Sequence, residues 1–177
     1  MLRKTIGLLF LTASLALAPG FAAQQTEVVP PIDPIPPKDV LYLWAPHNSL
    51  RLSLTDLKAL PHTSVSFHNP HTNADETYTG VRLSNLLARI GAPLGNELRG
   101  KALATYVVAT GSDGYKAVLA LGEVDPSFHP GEVLVADTMD GKALDAHSGP
   151  FKLVVTEDKR PARSVRNLVS IELKDAN

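Results

Sequence analysis

The sequence predicts an α+β domain built on a mixed, curled β-sheet or partial barrel with short helices. Segments with strand alternation outnumber those with helical spacing, and the helical segments are short. No segment is long enough for the crossover helices that join parallel strands, so a doubly wound parallel sheet is disfavoured.

Residues 1–23 have the pattern of a secretory signal peptide. A basic start at Arg3 and Lys4 precedes an apolar run over residues 6–17, and small residues at Ala22 and Ala23 suit a signal peptidase. The apolar run is too short to span a bilayer. We therefore expect a periplasmic or secreted protein with no transmembrane segment after signal cleavage.

Residues 24–39 are predicted to form a proline-rich linker. Proline fixes φ and lacks a backbone donor, so an extended, polyproline-like spacer is expected. A tether is favoured over a recognition ligand for another protein. The prolines lie at positions 30, 31, 34, 36 and 37.

Charge and cysteine content narrow the function classes. The full sequence has 17 basic and 18 acidic residues. Removal of the leader takes away Arg3 and Lys4, which leaves 15 basic and 18 acidic residues and a formal net charge of −3. This negative charge disfavours nucleic acid as a partner. The chain has no cysteine, so neither disulfides nor thiolate metal ligands are available. About 150 mature residues are enough for a single hydrophobic core, and one domain is predicted over residues 40–177.

The domain opens with two predicted strands and a capped helix. The stretch LYLWAP at 41–46 and the alternating residues 50–53 predict the strands, and the two aromatic side chains of the first are interpreted as core and edge packing. Ser53 is the expected N-cap of the helix. Asp56 completes a capping box, and Pro61 ends the helix.

A predicted hairpin and a second helix follow. Residues 64–68 alternate, and residues 76–79 are their expected neighbour across a polar loop. Leucines at helical spacing over residues 83–90 predict the helix, and Gly91 is its expected C-cap.

The second half of the domain is predicted to be mainly strands. The stretch ALATYVVATGSDGYKAVLAL predicts two strands joined at Ser112-Asp113-Gly114, a strong hairpin signal. Residues 132–136, 151–156 and 167–173 predict three more.

Four segments carry a resemblance to a known family. They are YTGVRLSNLLARIGA, SDGYKAVLALGEV, VLVADTMDGKALDAHSGPFKLVV and RSVRNLVSIEL. In this order they resemble segments of the molybdopterin-binding domain of the sulfite oxidase family: a Gly-Val-Pro-Leu helix start, an Asp-Gly-Tyr hairpin, a His-Gly-x-Pro-x-Arg loop before a strand, and a Ser-Val-Lys-Trp-Leu ending. The resemblance implies a mixed α+β fold around a pterin whose dithiolene holds molybdenum, and an oxygen-atom transfer such as sulfite oxidation.

The resemblance also implies a ligand-binding set. In the loop before Lys152, Gly149 lets the backbone approach a ligand closely. The four cations over residues 159–166 favour the binding of an oxyanion. By pattern alone those cations also fit a solvated turn balanced by Glu157 and Asp158. The residues expected to contact a cofactor or ligand are Asn69, Tyr115, His147, Gly149, Lys152, Arg163, Ser164 and Arg166.

The sequence departs from the family at the metal ligand. Family enzymes bind molybdenum through a cysteine that ends a Val-x-Leu-x-Cys strand, whereas residues 65–69 read Val-Ser-Phe-His-Asn. The neutral amide of Asn69 cannot replace a thiolate. Lys152 stands where the family usually has arginine, Asn167 replaces the usual aromatic residue, and the leader lacks the paired arginines typical of exported members. We therefore expect the catalytic metal ligand to be lost, which makes molybdopterin a doubtful cofactor.

Three functions remain open. The first is an exported ligand-binding, sensing or accessory domain that takes a small anionic or heterocyclic ligand, or a periplasmic or membrane protein partner. The second is an active molybdopterin-dependent oxidoreductase in which His68 or no protein ligand holds the metal. The third is a histidine-based metal or haem site formed by His68 and His71, to which Asp75 and Glu76 could add ligands.

Overall fold

The computed structural model describes residues 36–69 and 73–176, which fold into β-strands in two sheets with short α-helices between them. The predicted signal peptide and the predicted linker as far as residue 35 lie outside the described residues. Among the described helices, none is long and apolar enough to cross a membrane.

The elements follow one another in an order close to the predicted one. Three 3-10 turns, at Gly95–Glu97, Gly100–Ala104 and Pro161–Arg163, connect some of them. In chain order the elements are β1 (Val40–Ala45), β2 (Asn48–Ser53), α1 (Leu54–Lys58), β3 (Thr63–Asn69), β4 (Ala74–Arg82), α2 (Leu83–Arg89), β5 (Thr105–Gly111), β6 (Lys116–Ala120), α3 (Leu121–Val124), β7 (Val133–Met139), β8 (Lys142–Ala143), β9 (Lys152–Val155) and β10 (Leu168–Asp175).

Strand pairing builds two sheets. Sheet A has the order β2-β1-β10-β5-β6, and the parallel pair β1 and β10 makes it mixed. Sheet B has the order β3-β4-β7, and both β8 and β9 pair with β7 on its other edge. The predicted α+β class is confirmed, and because no pairing among the described strands joins the two sheets, the fold is not a closed barrel.

The inner faces of both sheets share one hydrophobic core with α2. Leu43 of β1, Val107 of β5, Val135 of β7 and Leu87 of α2 are all fully buried in it. Each such side chain contributes about 1.5–3 kcal/mol by leaving water. Sheet B also has a smaller buried cluster on its opposite face, formed by Tyr78, Leu134, Ala136 and Val154.

Helix α1 begins with the predicted capping box. The Asp56 N–H donates to Ser53 Oγ at 3.2 Å, and the Ser53 N–H donates to Asp56 Oδ2 at 2.9 Å. The Ser53 hydroxyl, which also donates to Asp56 Oδ2, holds the pKa of the Asp56 carboxyl below its usual value. The cap therefore fixes where β2 ends and the helix starts.

Replacing Ser53 with alanine is expected to lower the free energy of unfolding by about 1 kcal/mol, because the Asp56 N–H loses its acceptor. Urea unfolding measures the loss. Thr55→Ala is the matched control, since Thr55 is exposed in the same helix. Equal losses in the two variants would show that the cap adds nothing beyond helix propensity.

The structure differs from the predicted elements in its shortest pieces. Helix α3 has four residues and β8 has two, too few for a helical or strand periodicity to appear in the sequence.

The aromatic residues of β1 do not lie in the core, in contrast to the interpretation of the sequence. Leu41 and Leu43 point into the core, whereas Tyr42 and Trp44 lie on the opposite face of sheet A, because side chains alternate along a strand.

Candidate functional site

Polar residues gather on the outer face of sheet B, the face that carries the Tyr78 cluster. In the β3–β4 hairpin Val65 lies opposite Tyr78 and Asn69 lies opposite Ala74, so Asn69, Glu76 and Tyr78 point to the same side. In β9, Lys152 alternates with core residue Leu153 and therefore shares that side. Residues from the end of β3 and the start of β9 thus meet on one surface.

A chain of hydrogen bonds runs across this surface. Asn69 Nδ2 donates to Glu76 Oε1 at 2.8 Å, and the Tyr78 hydroxyl donates to Glu76 Oε2 at 2.9 Å. Lys152 Nζ donates to the Tyr78 oxygen at 2.5 Å and lies 4.2 Å from the centre of the tyrosine ring. The carboxylate can only accept and the lysine ammonium can only donate, so the direction of each bond is fixed.

Burial controls the protonation of the side chains in this series of hydrogen bonds. It raises the pKa of the Tyr78 phenol, and the hydrogen bond and charge of Glu76 act in the same direction, so Tyr78 remains a donor. Burial lowers the pKa of the Lys152 ammonium; Glu76 opposes that shift and the charge of Arg166 adds to it. An anion close to Lys152 would offset this cost of burying the charge.

The loop over residues 145–149 lies beside Lys152 and is fastened to the start of β10. Asp145 Oδ1 accepts the N–H groups of His147 and Ser148 at 3.1 and 2.9 Å, and these bonds, with that of Ser148 first, lower the pKa of Asp145. Asn167 Nδ2 donates to the His147 carbonyl at 2.6 Å. The Arg166 guanidinium contacts the ring Nε2 of His147, which brings these two predicted site residues together.

One acceptor beside this loop has no hydrogen-bond partner. The side chain of Asn167 faces the His147 carbonyl with its nitrogen, since a carbonyl oxygen can only accept. Its Oδ1 is shielded from solvent and accepts no hydrogen bond from the described residues. Buried polar atoms are rarely left this way in folded proteins.

We name His147, Lys152 and Arg166 the basic cluster. Among the described residues neither Lys152 nor Arg166 forms an ion pair, whereas Arg82 and Arg163 both contact carboxylates. Burial and then, with a smaller effect, the charge of Arg166 lower the pKa of Lys152, and two neighbouring cations without a carboxylate partner are suited to an oxyanion.

Two other predicted site residues are engaged in holding the 161–163 turn. Arg163 contacts Asp158 at 2.6 Å and Glu123 at 2.8 Å, and these carboxylates raise the pKa of its guanidinium. Ser164 Oγ accepts the Val155 N–H at 3.1 Å. Both side chains therefore have structural contacts that do not reach the basic cluster.

Tyr115 and Gly149 also have local structural contacts. The Tyr115 side chain is half-exposed, and its hydroxyl donates to the Ala162 carbonyl at 2.6 Å. Gly149 is buried, and a Cβ at this position would lie 2.6 Å from Leu144 Cβ. The close approach that requires glycine is therefore to its own loop.

The structure separates His68 from Asn69. Adjacent strand residues point to opposite faces, and His68 is exposed with its Nδ1 2.9 Å from Asp75 Oδ1. It therefore cannot take the place of residue 69 beside Tyr78 and Lys152. Within the ranges that the structure covers, no three histidine, aspartate or glutamate side chains form a metal-binding group. His71 lies outside the described residues, so a site that includes it stays a prediction.

Sequence reasoning did not include Tyr78 in the site and used Glu76 only as an additional metal ligand. Both link Asn69 to Lys152, although neither belongs to a recognised motif. The available signal was the alternation of the hairpin, which places residues 69, 76 and 78 on one face once the strands are paired in this register.

Comparisons with known proteins agree with this fold. The family model described as oxidoreductase molybdopterin binding domain matches residues 45–177. The crystal structure of the sulfane dehydrogenase SoxCD from Paracoccus pantotrophus is similar, with a TM-score of 0.60 and 18% identity over 79% of this chain and 40% of that chain. At that identity the likeness concerns the fold alone, and this chain spans less than half of that one; no curated protein matches. Because the family model covers most of its length, the chain belongs to the oxidoreductase molybdopterin-binding domain family.

Proposed function

We propose that this chain is an exported ligand-binding, sensing or accessory member of the family that has lost the catalytic metal ligand. It binds a small anionic or heterocyclic ligand at the basic cluster. The observation that carries this proposal is the environment of Asn69. The family resemblance aligns Asn69 with the molybdenum cysteine, and the Asn69 amide donates to Glu76 and so begins the hydrogen-bond chain that ends at Lys152.

The donor set on the outer face of sheet B does not fit a molybdenum ion. The metal ligand of the family is a soft thiolate, and the groups available here are an amide, a carboxylate, a phenol and an ammonium. The nearest histidine in sequence, His68, points to the opposite face. The proposal therefore includes no oxygen-atom transfer.

The surroundings of the basic cluster support a ligand with two kinds of contact. Lys152 and Arg166 supply charged N–H donors to an oxyanion, and the guanidinium can contact two oxygens at once. Asn167 Oδ1 supplies an acceptor for an N–H group, which nitrogen heterocycles carry. A ligand with both features would satisfy the cluster more fully than a simple inorganic anion.

The decisive experiment is cofactor analysis of the protein purified from its own periplasm. Native mass spectrometry and elemental analysis are expected to find neither molybdenum nor a molybdenum-bound pterin in stoichiometric amount. Stoichiometric molybdenum with a pterin would overturn the proposal in favour of an active oxidoreductase. Titration with sulfate, phosphate and pterin-6-carboxylate then tests ligand binding, and no binding of any of the three would count against the basic cluster.

A further inference from the structure

Lys152 differs from the other lysine residues that the structure describes. Its side chain is half-buried and has no carboxylate within ion-pair distance in the described part of the chain. The other described lysines are exposed, and for one of them, Lys174, the hydrogen bond to Glu172 at 2.7 Å raises the pKa. These exposed residues are Lys38, Lys58, Lys101, Lys116, Lys142, Lys159 and Lys174. Lys152 therefore differs from them in its contact with water.

The hydrogen bonds that Lys152 begins give its ammonium proton a route to a carboxylate. Lys152 Nζ donates to the Tyr78 oxygen at 2.5 Å, and the Tyr78 hydroxyl donates to Glu76 Oε2 at 2.9 Å. If the ammonium gives a proton to the Tyr78 oxygen while the phenol gives its own to Glu76, a neutral amine and a neutral carboxyl remain. The Tyr78 ring, with its centre 4.2 Å from Nζ, stabilises the ammonium, so the amine needs such a proton acceptor before it can act as a nucleophile.

Arg166 gives the basic cluster an anchor for a negatively charged ligand. Its guanidinium contacts the His147 ring and can donate two parallel hydrogen bonds to a carboxylate or a phosphate. Burial lowers the pKa of Lys152, and the charge of Arg166 adds to this effect, whereas the carboxylates of Glu76 and Asp145 oppose it. A lysine that is partly removed from water and lies near another cation is the kind that proteins use as an amine nucleophile.

We propose that Lys152 forms an imine with a small anion that carries an aldehyde or keto group, while Arg166 binds the oxyanion of the same ligand. Glu76, acting through Tyr78, takes up the ammonium proton of Lys152. The inference rests on the proposed function and deepens it, because it names the class of ligand that the basic cluster takes and the bond that holds it.

The reaction needs no oxidant or reductant. Once the ammonium proton has passed through Tyr78 to Glu76, the Lys152 nitrogen forms a bond to the carbonyl carbon, and a proton moves from this nitrogen to the carbonyl oxygen to give a carbinolamine. Its hydroxyl leaves as water with the proton that returns from Glu76 through Tyr78, and the C=N bond forms. The products are a protonated imine and one water molecule, and both Glu76 and Tyr78 are restored.

Pyridoxal 5′-phosphate is a suitable probe, because it carries an aldehyde, a phosphate and a nitrogen heterocycle. The full chain is incubated at neutral pH with less than one equivalent of the probe, the imine is reduced with borohydride, and the modified lysines are located by peptide mass spectrometry. Most of the label is expected on Lys152, and the exposed Lys142 is the internal control. The chain has no cysteine, so no thiol competes for the aldehyde. Label spread evenly over the exposed lysines would overturn the inference.

Pyridoxine 5′-phosphate, which lacks the aldehyde, separates this inference from the proposed function. It is expected to bind and, like excess phosphate, to protect Lys152 from the label. If it binds but the aldehyde probe does not prefer Lys152, the imine is wrong and ligand binding stands. If it does not bind and no adduct forms, both fail. An adduct on Lys152 that neither compound prevents would contradict the role of Arg166.

Replacement of Tyr78 with phenylalanine tests the proton route, because it removes the hydroxyl between Lys152 and Glu76. The rate of imine formation at saturating probe, followed by the absorbance of the imine, is expected to fall about 100-fold. Tyr106→Phe, the same change in β5 of sheet A, is the matched control and should leave the rate unchanged. Circular dichroism checks that both variants are folded. An unchanged rate in folded Tyr78→Phe would exclude this route for the proton.

Discussion

Replacing Lys152 with methionine or Arg166 with alanine is expected to weaken the binding of sulfate or phosphate sharply. Each change removes a hydrogen bond between a charged donor and an anion, an interaction worth about 1.5–3 kcal/mol. The affinity should therefore fall about 10- to 100-fold in each single variant. Calorimetric titration at constant, low ionic strength measures the change, because salt screens the attraction.

Matched controls come from the same stretch of sequence. Arg160 is exposed, so Arg160→Ala should leave the affinity unchanged. Arg163→Ala removes a cation that Asp158 and Glu123 neutralise, and it should lower stability rather than affinity. If Arg166→Ala bound the anions as tightly as the wild-type chain, the basic cluster would not be the binding site.

Local signals in the sequence predicted those parts of the fold that depend on near neighbours. The capping box of α1 needs only Ser53 and Asp56, three residues apart, and the turn between β5 and β6 needs only the residues between two apolar runs. Strand alternation also separated Val65 from Ser64 and Ser66 correctly, because the period of a strand is set by its own backbone.

The site could be predicted only in part, since its contacts depend on strand pairing between distant segments. Lys152 reaches Tyr78 because β4 and β9 both pair with β7, although the two residues are 74 positions apart. The family resemblance predicted Lys152, His147 and Arg166 as site residues, but it contained no signal for Tyr78. Alternation became informative only when the register was known.

The basic stretch shows why residue type alone did not decide the role of each cation. Arg163 and Arg166 are three positions apart and were expected to share one role. The 3-10 turn at Pro161–Arg163 directs Arg163 toward Asp158 and Glu123, whereas Arg166 lies beside the loop of His147. The difference follows from the path of the backbone, which the sequence pattern does not contain.

Replacing Asp125 with asparagine is expected to destabilise the fold by about 3 kcal/mol at neutral pH, because charged hydrogen bonds are lost and buried donors are left without a full partner. Asp125 is 1% exposed, and its carboxylate accepts the Gly95 N–H at 2.5 Å and the Ser127 N–H at 2.8 Å. It therefore joins the end of α3 to the 3-10 turn at Gly95–Glu97. Urea unfolding at pH 7 measures the loss.

The pH dependence of that loss distinguishes the charge of Asp125 from its shape. Burial raises the pKa of Asp125, but the hydrogen bonds from the N–H groups of Gly95 and Ser127 lower it by more. The net shift of the pKa is therefore downward. A carboxyl whose pKa is lower in the folded state stabilises the fold above its unfolded value of about 3.9, and this contribution is lost as the pH falls through the folded pKa. The stability gap between wild type and Asp125→Asn should therefore narrow below about pH 4. Glu97→Gln, a change at an exposed position of the adjoining turn, should show little difference in stability from wild type at any pH. If the stability gap for Asp125→Asn stayed constant down to pH 2, the shape of the Asp125 side chain alone, and not its charge, would hold the turn.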